Sequence, residues 1–205
     1  MKPLRIALIG SRALHEQGTN EEDIKLLHKV CYRLATLGII FRSGLCNKGM
    51  DAIAQIEYSR ALSERKAFES QFEVYVWDIK AIHKSQLPNK HLALVRNATL
   101  KHETEKIAST LHSNWEACSD YAKAQHARNV HQILGYHLDK PVDAVITWGV
   151  LDNYGKPIGG TGTALRLAEQ RRIPIFNLYN CPHDVFLSQV TNFLRSQRVR
   201  GLKGQ

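Results

Sequence analysis

The chain has 205 residues, and 43% of them are hydrophobic and 23% charged. Both figures are near the globular average of roughly 45–50% and 25%, which excludes a disordered, collagen-like or coiled-coil chain. Lys and Arg outnumber Asp and Glu by 28 to 19, a net charge of +9, and an excess of this size points to a polyanionic partner such as DNA, RNA or a phosphorylated small molecule.

Leu4 to Ile9 is a short apolar run that stops at Gly10, as at the start of a βα unit. Asn20 is positioned to cap the helix that follows. Glu21, Glu22 and Asp23 fill its first turn, where acids suit the helix dipole. Ile24, Leu27, Cys31 and Leu34 recur at helical spacing, and Gly38 ends the run. Ile39 to Phe41 reads as a second strand that leads into Ser43-Gly44-Leu45-Cys46-Asn47-Lys48-Gly49-Met50-Asp51. A helix bearing Ala52, Ile53, Ile56 and Ala61 comes next, and then a strand from Phe72 to Trp77.

Residues 78–98 show no clean period. Helices are expected over Leu100–Leu111 and Ser119–Leu134, the second with Ala122, His126, Val130 and Ile133 on one side and Gly135 at its end. The stretch of about 78–135 is expected to be a helical insertion between two halves of a sheet, or a lid over its edge. Val142–Trp148 is a buried strand. Gly159-Gly160-Thr161-Gly162-Thr163 then opens a helix, Ile173–Leu178 is a further strand, and a last helix carries Val185, Phe186, Val190, Phe193 and Leu194. The tail with Arg195, Arg198, Arg200 and Lys203 is expected to fray. Strands alternating with helices imply one α/β domain, a Rossmann-like parallel sheet with helices on both faces.

Three glycine-containing turns each follow a predicted strand. In an open parallel sheet, ligands sit beyond the carboxyl ends of the strands. Glycine there lets the backbone approach a phosphate, and the next helix offers free N–H groups. The candidate nucleotide or phosphate contacts are Gly10, Ser11 and Arg12 in the first turn, and Ser43, Gly44, Gly49 and Asp51 in the second. Gly159, Gly160, Thr161, Gly162 and Thr163 form the third, and Arg128, Asn129 and Trp148 complete the set, Trp148 as a stacking surface for a base.

Taken in order, Gly10-Ser11-Arg12, Ser43-Gly44…Gly49-x-Asp51, Arg128-Asn129 and Gly160-x-Gly162-Thr163-Ala164 resemble the DprA/LOG (SLOG) superfamily of Rossmann-like nucleotide-binding proteins. Lys156-x-x-Gly159-Gly160-Thr161-Gly162 after Trp148 looks most like DprA-like proteins of tailed bacteriophages. The likeness covers about residues 4–60 and 120–180. The second loop departs from the family pattern, with Leu45-Cys46 where a second glycine and an alanine are usual.

The resemblance implies binding of a nucleotide or single-stranded nucleic acid in DNA processing or recombination, with a recombinase as a further partner and a homodimer as one option for assembly. A second reading is a binder or N-glycosidic hydrolase of small nucleotides, or a sensor of a nucleotide-derived signal. LOG proteins carry a Glu two or three residues after G-x-G-T, where this chain has Leu165 and Arg166, so base cleavage is not expected and no catalytic residue is assigned.

The chain shows no secretory or membrane-spanning run, so a cytoplasmic location without membrane contact is expected. Cys31, Cys46, Cys118 and Cys181 show no C-x-x-C pair and are read as reduced thiols. The spacings of His126, His131 and His137 do not suit a helical metal pair, so neither a metal nor a cofactor is expected.

Overall fold

A computed structural model of the chain describes residues 3–16, 21–77, 92–94 and 98–203. The expected cap at Asn20 and most of the segment 78–98 lie outside them. Among the described residues, six parallel strands form one sheet in the order β4-β3-β2-β1-β5-β6. They are β1 (Arg5–Gly10), β2 (Ile40–Ser43), β3 (Phe72–Val76), β4 (Leu92–Leu94), β5 (Ala144–Trp148) and β6 (Ile175–Asn177). The helices are α1 (Glu21–Thr36), α2 (Gly49–Ser63), α3 (Ala98–Leu111), α4 (Asp120–Leu134), α5 (Gly159–Gln170) and α6 (His183–Lys203).

The alternation of β1 shows why the central strands read as unbroken apolar runs. Ile6 and Leu8 enter a core shared with α1, α2 and α6, through residues such as Leu27, Ile53 and Phe186. Ala7 and Ile9 enter a second core with Leu111 of α3, Val130 and Ile133 of α4, and Leu165 of α5. A parallel strand covered on both faces has no side that can stay polar.

From β1 the chain builds outward through β2, β3 and β4, and then returns to lay β5 on the other side of β1. That reversal makes the carboxyl ends of β1 and β5 the topological switch point of the sheet, the place where open α/β sheets bind ligands.

Several local expectations are revised. β4 is a three-residue strand at the edge of the sheet that no pattern had marked, because three residues hold less than two periods. Ile56 points away from the core of α2 and is 51% exposed, whereas Tyr58 is buried in its place. The expected fraying from Arg195 does not occur, and α6 runs on to Lys203. Apart from these revisions, α3 and α4 of the stretch expected as an insertion or lid follow β4, precede β5 and pack on the sheet face they share with α5.

Under the carboxyl end of α4 that face turns polar. Arg42, with 2% of its surface exposed, forms an ion pair with Glu73 and donates from Nη1 to the Lys140 carbonyl at 2.5 Å. Glu73 also accepts from Arg5 Nε and Tyr75 Oη, each at 3.3 Å. The Tyr75 ring stacks on His131, with centroids 5.6 Å apart.

His131 is fully buried, and its Nε2 has no partner among the described residues. Burial pushes its pKa below the ordinary 6.5. The unfolded chain therefore binds this proton more readily. The stabilisation is complete above about pH 6.5 and is lost as the pH falls below that. The urea midpoint is expected to drop between pH 7 and pH 5, and to drop less in His131→Gln. An equal drop in the variant would clear His131 of the effect.

Candidate functional site

Close backbone approaches draw the first two glycine turns and the end of β5 together. Ser11 N–H, just past β1, donates to the Trp148 carbonyl at the end of β5 at 2.9 Å. Gly10 lies so close to α2 that a Cβ on it would stand 2.8 Å from Met50 Cβ. Gly49 has φ +71°, and a Cβ there would meet the Ser11 carbonyl oxygen at 2.6 Å. Glycine at 49 thus answers two demands, a left-handed backbone and a close approach. Its N–H donates to His15 Nδ1 at 2.9 Å.

The second turn is organised by Asp51 in the first turn of α2. Asp51 is buried, and its Oδ1 accepts from Gly44 N–H at 2.9 Å. Ser43 Oγ lies 2.5 Å from that same oxygen and 2.8 Å from the Leu8 carbonyl, with one proton to share between them. The carboxylate therefore holds the loop over the end of β2.

Arg128 crosses from α4 above this loop. A Cβ on Gly44 would lie 2.6 Å from Arg128 Nη1 and 2.9 Å from Gln132 Nε2, so glycine at 44 makes room for both side chains. Arg128 Nη2 donates to Asn129 Oδ1 at 3.2 Å and stands 4.0 Å from Asp51 Oδ2. Asn129 Nδ2 donates to the Gly160 carbonyl at 2.8 Å, which ties α4 to the third turn.

Several polar atoms in this region are buried without a partner among the described residues. They are Arg128 Nε, both amide atoms of Gln132, and Thr147 Oγ1. A Cβ on Gly149 would lie 3.3 Å from Thr147 Oγ1 and 3.2 Å from Thr161 Cγ2, so the unsatisfied hydroxyl sits beside the start of α5. Buried polar groups are nearly always hydrogen-bonded. Four such atoms lie along Gly44, α4 and the start of α5: Arg128 Nε and the Thr147 hydroxyl can donate, and the Gln132 amide can both donate and accept. Gln132 and Thr147 were not picked out from the sequence. An isolated Gln on a helix and a Thr inside a strand carry no motif, and only their unsatisfied burial marks them.

The remaining expected residues divide. Gly159 has φ +65° and open space where a Cβ would be. Gly162 packs against the Pro157 carbonyl, which a Cβ would approach to 2.4 Å, so this glycine answers helix–loop packing. Thr161 is buried, and Thr163 Oγ1 is 2.8 Å from His126 Nδ1. Arg12 is exposed on the short 3₁₀ turn Arg12–His15, with no ion-pair partner among the described residues.

The stacking role expected of Trp148 is not open to its ring. The side chain is 1% exposed, lies edge-on to Tyr179 with centroids 5.0 Å apart, and donates from Nε1 to Asp23 Oδ2 at 2.8 Å. A large apolar ring at the end of a central strand gains more from burial than from a place on the rim. Its backbone carbonyl, bonded to Ser11, is the part that borders the turns.

On α5, Leu165 is buried in the core. Arg166 donates to the Leu111 carbonyl at 2.6 Å and to the Pro157 carbonyl at 2.9 Å. Glu169 is exposed a turn further on.

A second grouping escaped the spacing argument against metal ligands, which considered histidines along one helix. His112 and Cys118, beyond the end of α3, meet His126 of α4, with one ligand atom from each all within 4.8 Å of one another. Burial, with His112 and Arg166 nearby, pushes the His126 pKa down to about 4, so its ring is neutral at neutral pH. No helix among the described residues is long and apolar enough to cross a membrane. Comparison with models of known protein families, with curated proteins and with solved structures finds no match for the chain.

Proposed function

We propose that the switch point binds the phosphate of a nucleotide, and that the protein engages single-stranded nucleic acid in the manner the resemblance to DprA-like proteins implies. The observation that carries this reading is Arg128, held over Gly44 by Asp51 and Asn129 with its Nε and the adjacent Gln132 amide unsatisfied. A guanidinium fixed beside closely approached backbone is suited to a phosphate oxygen. The net charge of +9 supports a polyanion as the larger ligand. A role in DNA processing or recombination, with a recombinase as partner, follows from the resemblance alone.

A small free nucleotide is the second reading. It is favoured by the depth of the Gln132 amide, which is fully buried behind Gly44. Hydrolysis of its glycosidic bond has less support. Asp51 has its Oδ1 taken by Ser43 and Gly44 N–H and its Oδ2 facing Arg128 at 4.0 Å, and α5 offers Leu165 and Arg166 where an acid is needed.

The test is a titration of single-stranded oligonucleotide at several salt concentrations, with thermal stabilisation by nucleoside monophosphates read in parallel. Binding to the polymer is expected to weaken steeply and log-linearly with salt as counterions are released. No free base is expected after prolonged incubation. Saturable stabilisation by one nucleotide class with no oligonucleotide binding would select the second reading.

A further inference from the structure

We propose that His112, Cys118 and His126 form a site for a zinc-class divalent ion, with two imidazole nitrogens and one thiolate as ligands and a fourth position open to water or an incoming ligand. The three come from separate places in the chain, the two ends of the α3–α4 connection and the second turn of α4, and the fold alone brings them together. Cys118 Sγ stands 3.8 Å from each nitrogen of His112. The His112 and His126 rings meet edge to face with centroids 4.5 Å apart. Zinc bonds of about 2.0–2.1 Å to nitrogen and 2.3 Å to sulfur set tetrahedral donors roughly 3.3–3.6 Å apart. The sulfur–imidazole spacing is close to that already. The other donor separations are at most 4.8 Å, and His112 and Cys118, which are half-buried, are the two ligands with room to turn toward the ion.

The surroundings have the features of a metal shell. Thr163, fully buried on α5, holds His126 Nδ1 at 2.8 Å, which fixes the ring and leaves Nε2 for the ion. Such an outer hydrogen bond is what orients a ligating histidine. Trp115 covers the cluster, with its ring 6.3 Å from His112 and 6.1 Å from His126. Two cations stand nearby: Arg166, whose guanidinium is engaged by the Leu111 and Pro157 carbonyls, and Lys123, whose Nζ lies 5.7 Å from the centre of the Trp115 ring.

Two imidazoles and a thiol suit zinc and cobalt, and not magnesium or calcium, which take oxygen donors. The Cys118 Sγ–H now points at the Asn114 carbonyl, 3.5 Å away. On loading, the thiol releases that proton to solvent and sulfur donates the freed pair to the ion. The bound ion ties the end of α3 to α4 and, through Thr163, to the second turn of α5. This site does not rest on the nucleotide reading.

The experiment uses the full chain, stripped with chelator and titrated with Co²⁺, followed by competition with Zn²⁺. The expected result is one equivalent of Co²⁺ with a thiolate-to-cobalt charge-transfer band in the near ultraviolet, displaced by Zn²⁺. Cys118→Ser is expected to remove the band and weaken Zn²⁺ at least tenfold. His126→Gln is expected to weaken Zn²⁺ at least tenfold, and His112→Gln, at a half-buried position, serves if that variant does not fold. A wild-type protein with no charge-transfer band, a band retained in Cys118→Ser, or Zn²⁺ affinity unchanged in a folded histidine variant would each overturn the proposal.

Discussion

Replacing Arg128 by Ala is expected to cut nucleotide affinity roughly ten- to hundredfold, because a hydrogen bond to a charged group contributes about 1.5–3 kcal/mol. Its Nη2 donates to Asn129 at 3.2 Å and faces Asp51 Oδ2 at 4.0 Å, so its removal takes away a guanidinium that is already oriented. Its loss also opens the space over Gly44 to water. Isothermal titration with a nucleoside monophosphate and with a single-stranded oligonucleotide reads the two ligands separately. Loss of both places one phosphate site under both. Loss of the mononucleotide alone puts the polymer on another surface. Unchanged affinity for both would remove Arg128 from the site.

Glu73→Ala is expected to lower unfolding stability by about 3 kcal/mol, the lower end of what removing one partner of a buried ion pair costs. The lower end applies because Glu73 retains 29% side-chain exposure while Arg42 has 2%. The variant leaves the Arg42 guanidinium in the protein with the Lys140 carbonyl as its remaining hydrogen-bond partner among the described residues, and it takes an acceptor from Arg5 and from the Tyr75 hydroxyl. Against a total stability of about 5–15 kcal/mol this is a large fraction. Urea unfolding is the measurement. The double variant Arg42→Leu/Glu73→Leu is expected to recover most of the loss, since apolar groups of similar volume often replace a buried pair without cost. A loss in Glu73→Ala below about 1 kcal/mol would mean that water already reaches Arg42.

The sheet was legible in the chain to the extent that burial on both faces leaves a continuous apolar run. Ile6–Ile9 and Val145–Trp148 announced themselves in this way, and so did the glycines at 10, 38, 135 and 159, where a strand or helix changes direction. The parallel α/β class follows from that alternation alone, and so do the three turns at the ends of β1, β2 and β5.

What the turns have beside them was decided only by the tertiary structure. The registry of α4 across the sheet sets Arg128 and Gln132 against Gly44, and no local spacing encodes a contact 84 and 88 residues away. The same packing buried Trp148, because a residue at a strand end can face either the rim or the core and periodicity does not distinguish them. It also gathered His112, Cys118 and His126, whose intervals of six and eight follow no helical period because a connection lies between them. Local pattern in the sequence reports which residues avoid water. Which polar residues meet inside depends on how helices already committed to the sheet settle against one another.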